Sequence, residues 1–203
     1  MRKCGCLAAV AVLSACTTEA DPRSRPAMVA PRLDESNWLS GEWIVDPAGL
    51  TSPVRAGVSP SGYQYQYGPG KEGRIFAGPG ASVLWHVECQ ITGAASGESC
   101  RIQDGQARMQ VRFAPTGHPQ DVCILPHRGL GRTATIRLDQ QSTAVTDWGG
   151  CTTSTVGAQM QTAASVTLQY SPSHDKEQKV ETLSLAGYED ATELLRFLQR
   201  GVR

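Results

Sequence analysis

The chain has 203 residues, of which 40% are hydrophobic and 19% are charged, and its 19 basic residues balance its 19 acidic residues. This balance argues against nucleic-acid binding, which normally requires an excess of Lys and Arg, and the hydrophobic content argues against disorder over the whole chain. The 21 glycines and 12 prolines predict many turns and favour an all-β domain over a helical bundle.

Residues 1–15 have the pattern of an export signal. Arg2 and Lys3 form a positively charged start, and residues 7–13 form an apolar segment that is too short to span a bilayer. We therefore predict that the protein leaves the cytoplasm and that this segment is removed.

The sequence LSAC at residues 13–16 resembles a bacterial lipobox. In lipoproteins with this motif the signal is cut just before the cysteine, and the cysteine is acylated. We predict lipidation at Cys16, and the resemblance to Gram-negative lipoproteins favours the outer membrane because Thr17, not Asp, follows the cysteine. An ordinary signal that is cut after Ala15 or Ala20 is the alternative.

Residues 16–36 contain the predicted lipidated cysteine and a polar segment without hydrophobic periodicity, which predicts a flexible tether. The composition changes near Trp38, so we expect a single β-rich domain over residues 37–203. The domain would stand away from the membrane on this tether.

Eight segments of the domain have the length and the alternating pattern of β-strands. They are residues 42–45, 62–67, 82–89, 106–113, 122–125, 133–138, 165–170 and 180–185. The second segment places Tyr63, Tyr65 and Tyr67 on one face, as part of a packed face or as an aromatic platform for glycans or peptides. Turn signals at intervals of roughly ten residues are typical of a β-sandwich or barrel.

The C-terminal segment predicts the one convincing helix. Asp190 is placed to cap its N-terminus, Glu193 to bond back in a capping box, and Gly201 to end it. An apolar stripe at helical spacing favours packing on the sheet over a partner-binding role. The stripe consists of Ala191, Leu194, Leu195 and Leu198.

Four cysteines follow the lipobox, and none of them lies in a CxxC pair. An even number of cysteines in an exported protein predicts two disulfides, for which three connectivities are possible. Cys89 and Cys100 flank a Gly/Ser-rich loop, so we expect one bridge between them and a second bridge between Cys123 and Cys151. Four buried free thiols are the alternative.

Motifs that carry chemistry are scarce. Residues 68–73 satisfy GxGxxG, but Pro69 occupies the glycine turn, and strand-like residues follow where a dinucleotide site needs a helix. The spacing of His86, His118 and His127 does not require a metal site, and we expect these side chains to be exposed. We predict no catalytic, cofactor-binding or metal-binding residue.

Several short motifs occur in a characteristic order between about residues 82 and 199. They are Trp85-His-Val-Glu-Cys89 with Cys100, Ile124-Leu125-Pro126 with Gly129, residues 134–139, Gly150-Cys151, residues 165–168 and residues 183–191. In this order they resemble the invasion-associated locus B family, which implies a secreted or periplasmic β-rich module without known catalytic residues. The wide spacing of Cys123 and Cys151 and the N-terminal lipobox depart from that family's pattern.

We therefore predict an all-β fold, a disulfide-braced antiparallel β-sandwich with one short C-terminal helix. The predicted function is that of a non-enzymatic cell-envelope lipoprotein with a binding or structural role at the outer membrane, facing the periplasm or the cell surface. The expected partners are the membrane, through the lipid anchor, and an envelope or host protein. One alternative is an envelope hydrolase in which His118, His127 and Asp121 meet in one pocket, and another is an adhesin or invasion factor that contacts host cells.

Overall fold

The computed structural model describes residues 38–45, 53–91, 98–127, 132–139, 143–172 and 177–201. They belong to the unit that residues 33–203 form. The predicted signal, the lipidation site Cys16 and the predicted tether lie outside the described residues. Among the helices of the described part, none is long and apolar enough to cross a bilayer.

The described residues form thirteen strands and two helices in two antiparallel sheets. The strands are β1 (Glu42–Val45), β2 (Pro53–Val58), β3 (Gln64–Tyr67), β4 (Glu72–Phe76), β5 (Val83–Ile91), β6 (Glu98–Asp104), β7 (Met109–Phe113), β8 (Pro119–Ile124), β9 (Thr135–Leu138), β10 (Thr143–Val145), β11 (Cys151–Thr153), β12 (Ser165–Tyr170) and β13 (Lys179–Ser184). The helices are α1 (Ser154–Gln159) and α2 (Tyr188–Arg200). One sheet has the order β1-β2-β3-β4-β5-β6-β7-β8-β11, and the other has the order β10-β9-β12-β13. The predicted fold class, a disulfide-braced antiparallel β-sandwich with a C-terminal helix, is confirmed.

Alternating side chains give the nine-stranded sheet an inner face and an outer face. In β7, Met109, Val111 and Phe113 are buried on the inner face, whereas Gln110 and Arg112 point to the outer face. The inner face joins the apolar side chains of the four-stranded sheet and of α2 in one hydrophobic core. The outer face is polar and carries the site described below.

Helix α2 packs on strands β4, β5 and β6 through its apolar stripe. The ring of Tyr188 lies 5.2 Å from that of Trp85, and the ring of Phe197 lies 5.4 Å from that of Tyr67, both edge to face. Trp85 also donates a 2.8 Å hydrogen bond from Nε1 to the Ala186 carbonyl just before the helix. Each aromatic pair contributes about 1 kcal/mol beyond the area that it buries.

The helix begins earlier than the sequence pattern predicts. Gly187, with a positive φ of 74°, precedes the first helical residue, Tyr188, so the prediction of Asp190 as the N-cap is wrong. Asp190 lies in the first turn and is buried, and its carboxylate bonds the side chains of Ser59 and Ser61 in the β2–β3 turn. A glycine in the left-handed conformation starts this helix, and the carboxylate serves a tertiary contact instead.

The strand predicted over residues 106–113 begins only at Met109, because Asp104 turns the chain between β6 and β7. Its Oδ1 accepts hydrogen bonds from the amides of Arg108 (2.5 Å) and Met109 (2.7 Å). Ala107 has a positive φ of 56° and is exposed, so it belongs to the turn and not to the buried side of a strand.

Candidate functional site

Both disulfides join residues that lie directly opposite each other on neighbouring strands of the nine-stranded sheet. Cys89 of β5 pairs with Cys100 of β6, with Cα atoms 4.1 Å apart. Cys123 of β8 pairs with Cys151 of β11, with Cα atoms 4.0 Å apart. The connectivity is the one that the cysteine positions predict. The first bridge lies on the inner face and the second on the outer face.

Rows of polar side chains cross the outer face of the nine-stranded sheet. One row consists of Gln66, Arg74, His86, Gln103 and Gln110 and ends at the Cys123–Cys151 disulfide. The neighbouring row consists of Glu72, Glu88, Arg101, Arg112, Asp121 and Thr153. Within the second row, two ion pairs join neighbouring strands, Glu88 with Arg101 and Arg112 with Asp121. The outer face therefore ends, at β8 and β11, beside a disulfide and an ion pair.

His86 occupies the middle of this face. Partial burial lowers the pKa of the imidazole, and the charge of the neighbouring Arg74 lowers it further, against a weaker opposite effect of Asp104. The ring is therefore neutral at pH 7 and can both donate and accept a hydrogen bond.

A groove of about 610 Å³ opens at the end of the outer face, where β11 follows the connection from β10. We call it the edge groove. Its lining consists of Arg112, Gln120, Asp121, Val145, Thr146, Asp147, Cys151, Thr152 and Thr153. Most of the lining residues are polar by type, with Val145 as the one aliphatic residue, and apolar and polar atoms contribute comparably to the exposed lining, a composition that suits a ligand with both apolar and hydroxyl or amide groups.

Arg112 and Asp121 form one wall of the edge groove. Arg112 donates from Nε to Asp121 Oδ1 (2.7 Å) and from Nη2 to Oδ2 (2.5 Å), and this pairing raises the pKa of Arg112. Cys123 Sγ lies 3.6 Å from Asp121 Oδ1 and, as a disulfide sulfur without a hydrogen, packs against it. The two planar groups are held in one orientation, and 49% of the Arg112 side chain and 21% of the Asp121 side chain remain exposed.

The connection from β10 to β11 forms the opposite wall. Asp147 Oδ1 accepts hydrogen bonds from the amides of Gly149 and Cys151, both at 2.9 Å, and the Asp147 amide donates to the Cys151 carbonyl at 2.7 Å. Gly150 has a positive φ of 79°, and a Cβ there would lie 3.0 Å from the Cβ of His127. This turn therefore requires glycine at position 150, and the disulfide of Cys151 ties it to β8.

Trp148 lies in the same turn, directly after the groove-lining Asp147, and is 72% exposed. Val145, on the groove lining, is 61% exposed. Single exposed apolar residues are common on protein surfaces. Trp148 is not itself a lining residue, but it lies in the turn between the lining residues Asp147 and Cys151, so an accessible indole is carried by the segment that forms part of the groove.

The residues of the hydrolase hypothesis do not come together in the edge groove. Asp121 lines it, whereas His118 is exposed just before β8. His127 is only 3% exposed, and its Nδ1 accepts a 3.4 Å hydrogen bond from the Ser171 amide. The expectation of an exposed histidine is therefore wrong at position 127, because the ring packs beside the turn at Gly150.

Within the described residues, one group of three His, Cys, Asp or Glu side chains has ligand atoms within 4.8 Å of one another, namely Cys89, Glu98 and Cys100. The two cysteines are joined in a disulfide, so their sulfurs are not thiolate ligands. Glu98 forms a 2.5 Å ion pair with Lys71. This group is therefore structural.

The tyrosines of β3 do not form an exposed aromatic platform. Tyr65 and Tyr67 share a face, as the alternation predicts, but each is only 1% exposed. Their hydroxyls lie 3.4 and 2.9 Å from the Trp38 carbonyl oxygen. Tyr63 precedes β3 and packs against the same core. The platform hypothesis is wrong because the inner face, which carries these rings, is covered.

None of the motifs named from the sequence includes Arg112, Asp147 or Trp148. A signal was present in residues 147–151 (DWGGC), where an Asp that can cap a turn, an indole and two glycines precede a disulfide cysteine. An indole in a turn is available to a ligand only if no other element covers it, and the three-dimensional structure shows that it is exposed.

No protein-family model matches this chain, and neither a curated protein nor a solved structure matches it. The resemblance to the invasion-associated locus B family therefore stays a prediction that depends on the motifs named above. Function is inferred below from the residues of the chain itself.

Proposed function

We propose that this protein is a lipoprotein of the Gram-negative cell envelope, anchored at the outer membrane through Cys16, and that its β-sandwich has a non-enzymatic binding role. The export signal at residues 1–15 and the lipobox at residues 13–16 support the anchor. Two acyl chains already hold a protein stably on a bilayer, so the three chains of a mature lipoprotein would make the attachment near-permanent.

The cysteine inventory is the observation that carries this proposal. The chain has seven cysteines, and cleavage before Cys16 would remove Cys4 and Cys6. The four cysteines of the sandwich are paired with one another. Cys16 is then the one cysteine left for lipidation, because thioether formation requires a free thiol. Disulfides persist in oxidising compartments such as the periplasm and are rare in the cytosol, which supports export.

The edge groove supports the binding role. Its ion pair, hydroxyl groups and aliphatic side chain offer reversible contacts, and the Asp121 carboxylate is held in place by Arg112. The motif resemblance is consistent with an envelope module. We do not extend the proposal to host-cell entry.

Replacement of the anchor cysteine tests the proposal. Cys16→Ser should abolish incorporation of a labelled fatty acid and should move the protein from the membrane fraction to the soluble fraction, because the thioether cannot form. The readout is radiolabelled palmitate in the immunoprecipitated protein together with membrane fractionation of the whole cell.

Cys6→Ser is the matched control, because it removes a thiol from the predicted signal without touching the lipobox. It should keep both the label and the membrane partition. Equal labelling of the Cys16→Ser variant and the unchanged chain would refute the lipid anchor.

A further inference from the structure

We propose that the edge groove binds a neutral saccharide chain that contains N-acetylated hexose units, with Trp148 stacking on a sugar ring. This inference rests on the proposed function, because it names the ligand class of the groove to which the binding role is assigned. It does not depend on how the protein is attached to the membrane.

The exposed indole is the first observation. A pyranose ring presents a face of C–H groups that is apolar, while its hydroxyl groups point outward along its edges. Trp148, 72% exposed in the turn that forms one groove wall, offers a flat surface for such a face. The indole ring and a sugar ring each lose little conformational freedom on contact, so the cost of ordering is small.

The ion pair on the opposite wall is the second observation. Neighbouring hydroxyl groups of a sugar lie at a spacing that lets them bond both edges of a planar charged group at once. Arg112 and Asp121 are such groups, already oriented by each other, and retain exposed area. Gln120, Thr152 and Thr153 add amide and hydroxyl groups to the same lining. Hydrogen bonds to charged groups are stronger than those between neutral groups, which favours recognition of hydroxyls here.

The charge and the aliphatic contact narrow the ligand class. Arg112 is neutralised by Asp121, and Asp147 is the remaining charged group of the lining, so the groove has no excess positive charge for a phosphate or carboxylate. The excess acid at Asp147 therefore disfavours an anionic chain, and the proposed ligand is an uncharged one. Val145, 61% exposed on the lining, offers an apolar contact for the methyl of an acetamido group.

The groove is also fixed before any ligand arrives. The Cys123–Cys151 disulfide, the capping bonds of Asp147 and the glycine at 150 hold one wall, and the ion pair holds the other. A rigid site matters for saccharides, because binding a flexible polar ligand already costs ordering and desolvation.

Fluorescence of the two exposed tryptophans provides the test. Trp38 and Trp85 are buried (2% and 1% exposed), and Trp43 is 51% exposed. In the full chain with Trp43→Phe, Trp148 is therefore the exposed tryptophan that acrylamide can quench. The tetramer of N-acetylglucosamine should reduce acrylamide quenching of this variant in a saturable manner. The protein is the full chain, purified in mild detergent.

Calorimetry with the same tetramer compares two substitutions of an exposed indole. Trp148→Ala should weaken binding about tenfold or more, the loss expected when an aromatic anchor is removed. Trp43→Ala, at the far edge of the sheet, should leave the affinity unchanged. Absence of saturable protection and of binding heat, or equal loss in both variants, would overturn the proposal.

The glycan strands of peptidoglycan supply this chemistry, whereas the oligosaccharide of lipopolysaccharide carries phosphate and carboxylate groups that the groove disfavours. The protein should therefore sediment with purified sacculi in a manner that depends on Trp148, and delipidated lipopolysaccharide oligosaccharide should not compete; sedimentation that is unchanged in Trp148→Ala would count against the site. Failure of the glycan experiments would leave the fatty-acid labelling of Cys16 untouched, and loss of that label would leave the glycan experiments valid.

Discussion

The two disulfides have the same local geometry but lie on opposite faces of the nine-stranded sheet. Cys89 and Cys100 lie on the inner face, 4% and 0% exposed, within the hydrophobic core. Cys123 and Cys151 lie on the outer face, where Cys123 is 6% exposed and Cys151 lines the edge groove. Both sulfurs of the inner bridge belong to the packed core, whereas the outer bridge holds the short edge strand β11 on which a groove wall depends.

Loop length and burial lead to different predictions of which disulfide contributes more to the free energy of unfolding. Loop closure alone gives about 3 kcal/mol for the inner bridge, with a sequence separation of 11, and about 3.5 kcal/mol for the outer bridge, with a separation of 28. Removal of the inner bridge also takes two buried sulfur atoms out of a packed core, which costs about 1 kcal/mol or more for each small cavity. We therefore expect the loss of core packing to outweigh the difference in loop length, so that removal of the inner bridge costs more stability than removal of the outer bridge.

The largest loss of stability is expected for the double substitution Cys89→Ala and Cys100→Ala. The free energy of unfolding should fall by about 4–5 kcal/mol, from lost loop closure and lost core packing together. Urea unfolding followed by circular dichroism measures this loss. A smaller loss than that of the outer bridge would show that chain entropy dominates and that core packing adds little.

The second effect is expected for Cys123→Ala combined with Cys151→Ala. Stability should fall by about 3.5 kcal/mol, and affinity for the N-acetylglucosamine tetramer should fall as well, because the turn at residues 147–151 loses its tie to β8. The inner double variant, at a temperature where it is folded, should keep its affinity. Mild reduction followed by alkylation should label Cys151 before Cys89, since a thiolate must reach the sulfur that it attacks.

Two buried carboxylates, Asp190 of α2 and Asp104 of β6, differ in how well their oxygen atoms are hydrogen-bonded. Asp190 is 3% exposed, its Oδ1 has no hydrogen-bond partner among the described residues, and burial raises its pKa against the opposite effect of Ser59 and Ser61. Because the folded protein holds this proton more tightly than the unfolded chain, stability is highest below the unfolded pKa, about 3.9. It falls as the pH rises through the raised folded pKa.

Asp190→Asn should remove this dependence and raise the free energy of unfolding at pH 7 by about 1 kcal/mol. Urea unfolding at a series of pH values between 3.5 and 7 measures the slope. Asp104→Asn is the control, because Asp104 is equally buried but is bonded by the Arg108 side chain and by turn amides, so its replacement should destabilise the protein at pH 7. A destabilised Asp190→Asn variant would contradict the expectation.

The smallest effect on stability is expected at the outer ion pair. Asp121→Asn should change the free energy of unfolding by less than about 1 kcal/mol, because Arg112 is half exposed and its ion pair is screened by water. The same substitution should weaken saccharide binding severalfold, since a charged acceptor is lost. Unfolding and calorimetry of one preparation compare the two quantities, and a larger stability loss would show that the pair is structural.

Sequence periodicity predicted the strands that alternate cleanly, such as β3 and β12, and the apolar stripe of α2. It missed β6, whose buried positions Cys100 and Ile102 alternate with charged and polar residues in a segment without β-branched or aromatic enrichment. It also missed the short strands β10 and β11, because three residues carry no readable period and their pairing depends on distant partners.

The site was less accessible to sequence reasoning than the fold. The pairing of Cys89 with Cys100 was predicted because the flanks of a short loop readily meet as a hairpin, and Cys123 and Cys151 were paired as the two cysteines that remained. Arg112 and Asp121 meet only through the register of β7 with β8, which depends on the whole sheet. The burial of His127 could not be predicted from the neighbouring sequence, because the space for its ring depends on Gly150, which is distant in the chain.

Each disulfide closes between strands that are already neighbours in one sheet, and neither reaches across to the four-stranded sheet. Disulfide formation therefore does not determine how the two sheets pack against each other, and the apolar side chains of the shared core, including those of α2, contribute that packing. In an oxidising compartment, either bond can close as soon as its own pair of strands has formed, in any order. Once both bonds have closed, the four cysteines of the sandwich can no longer mispair.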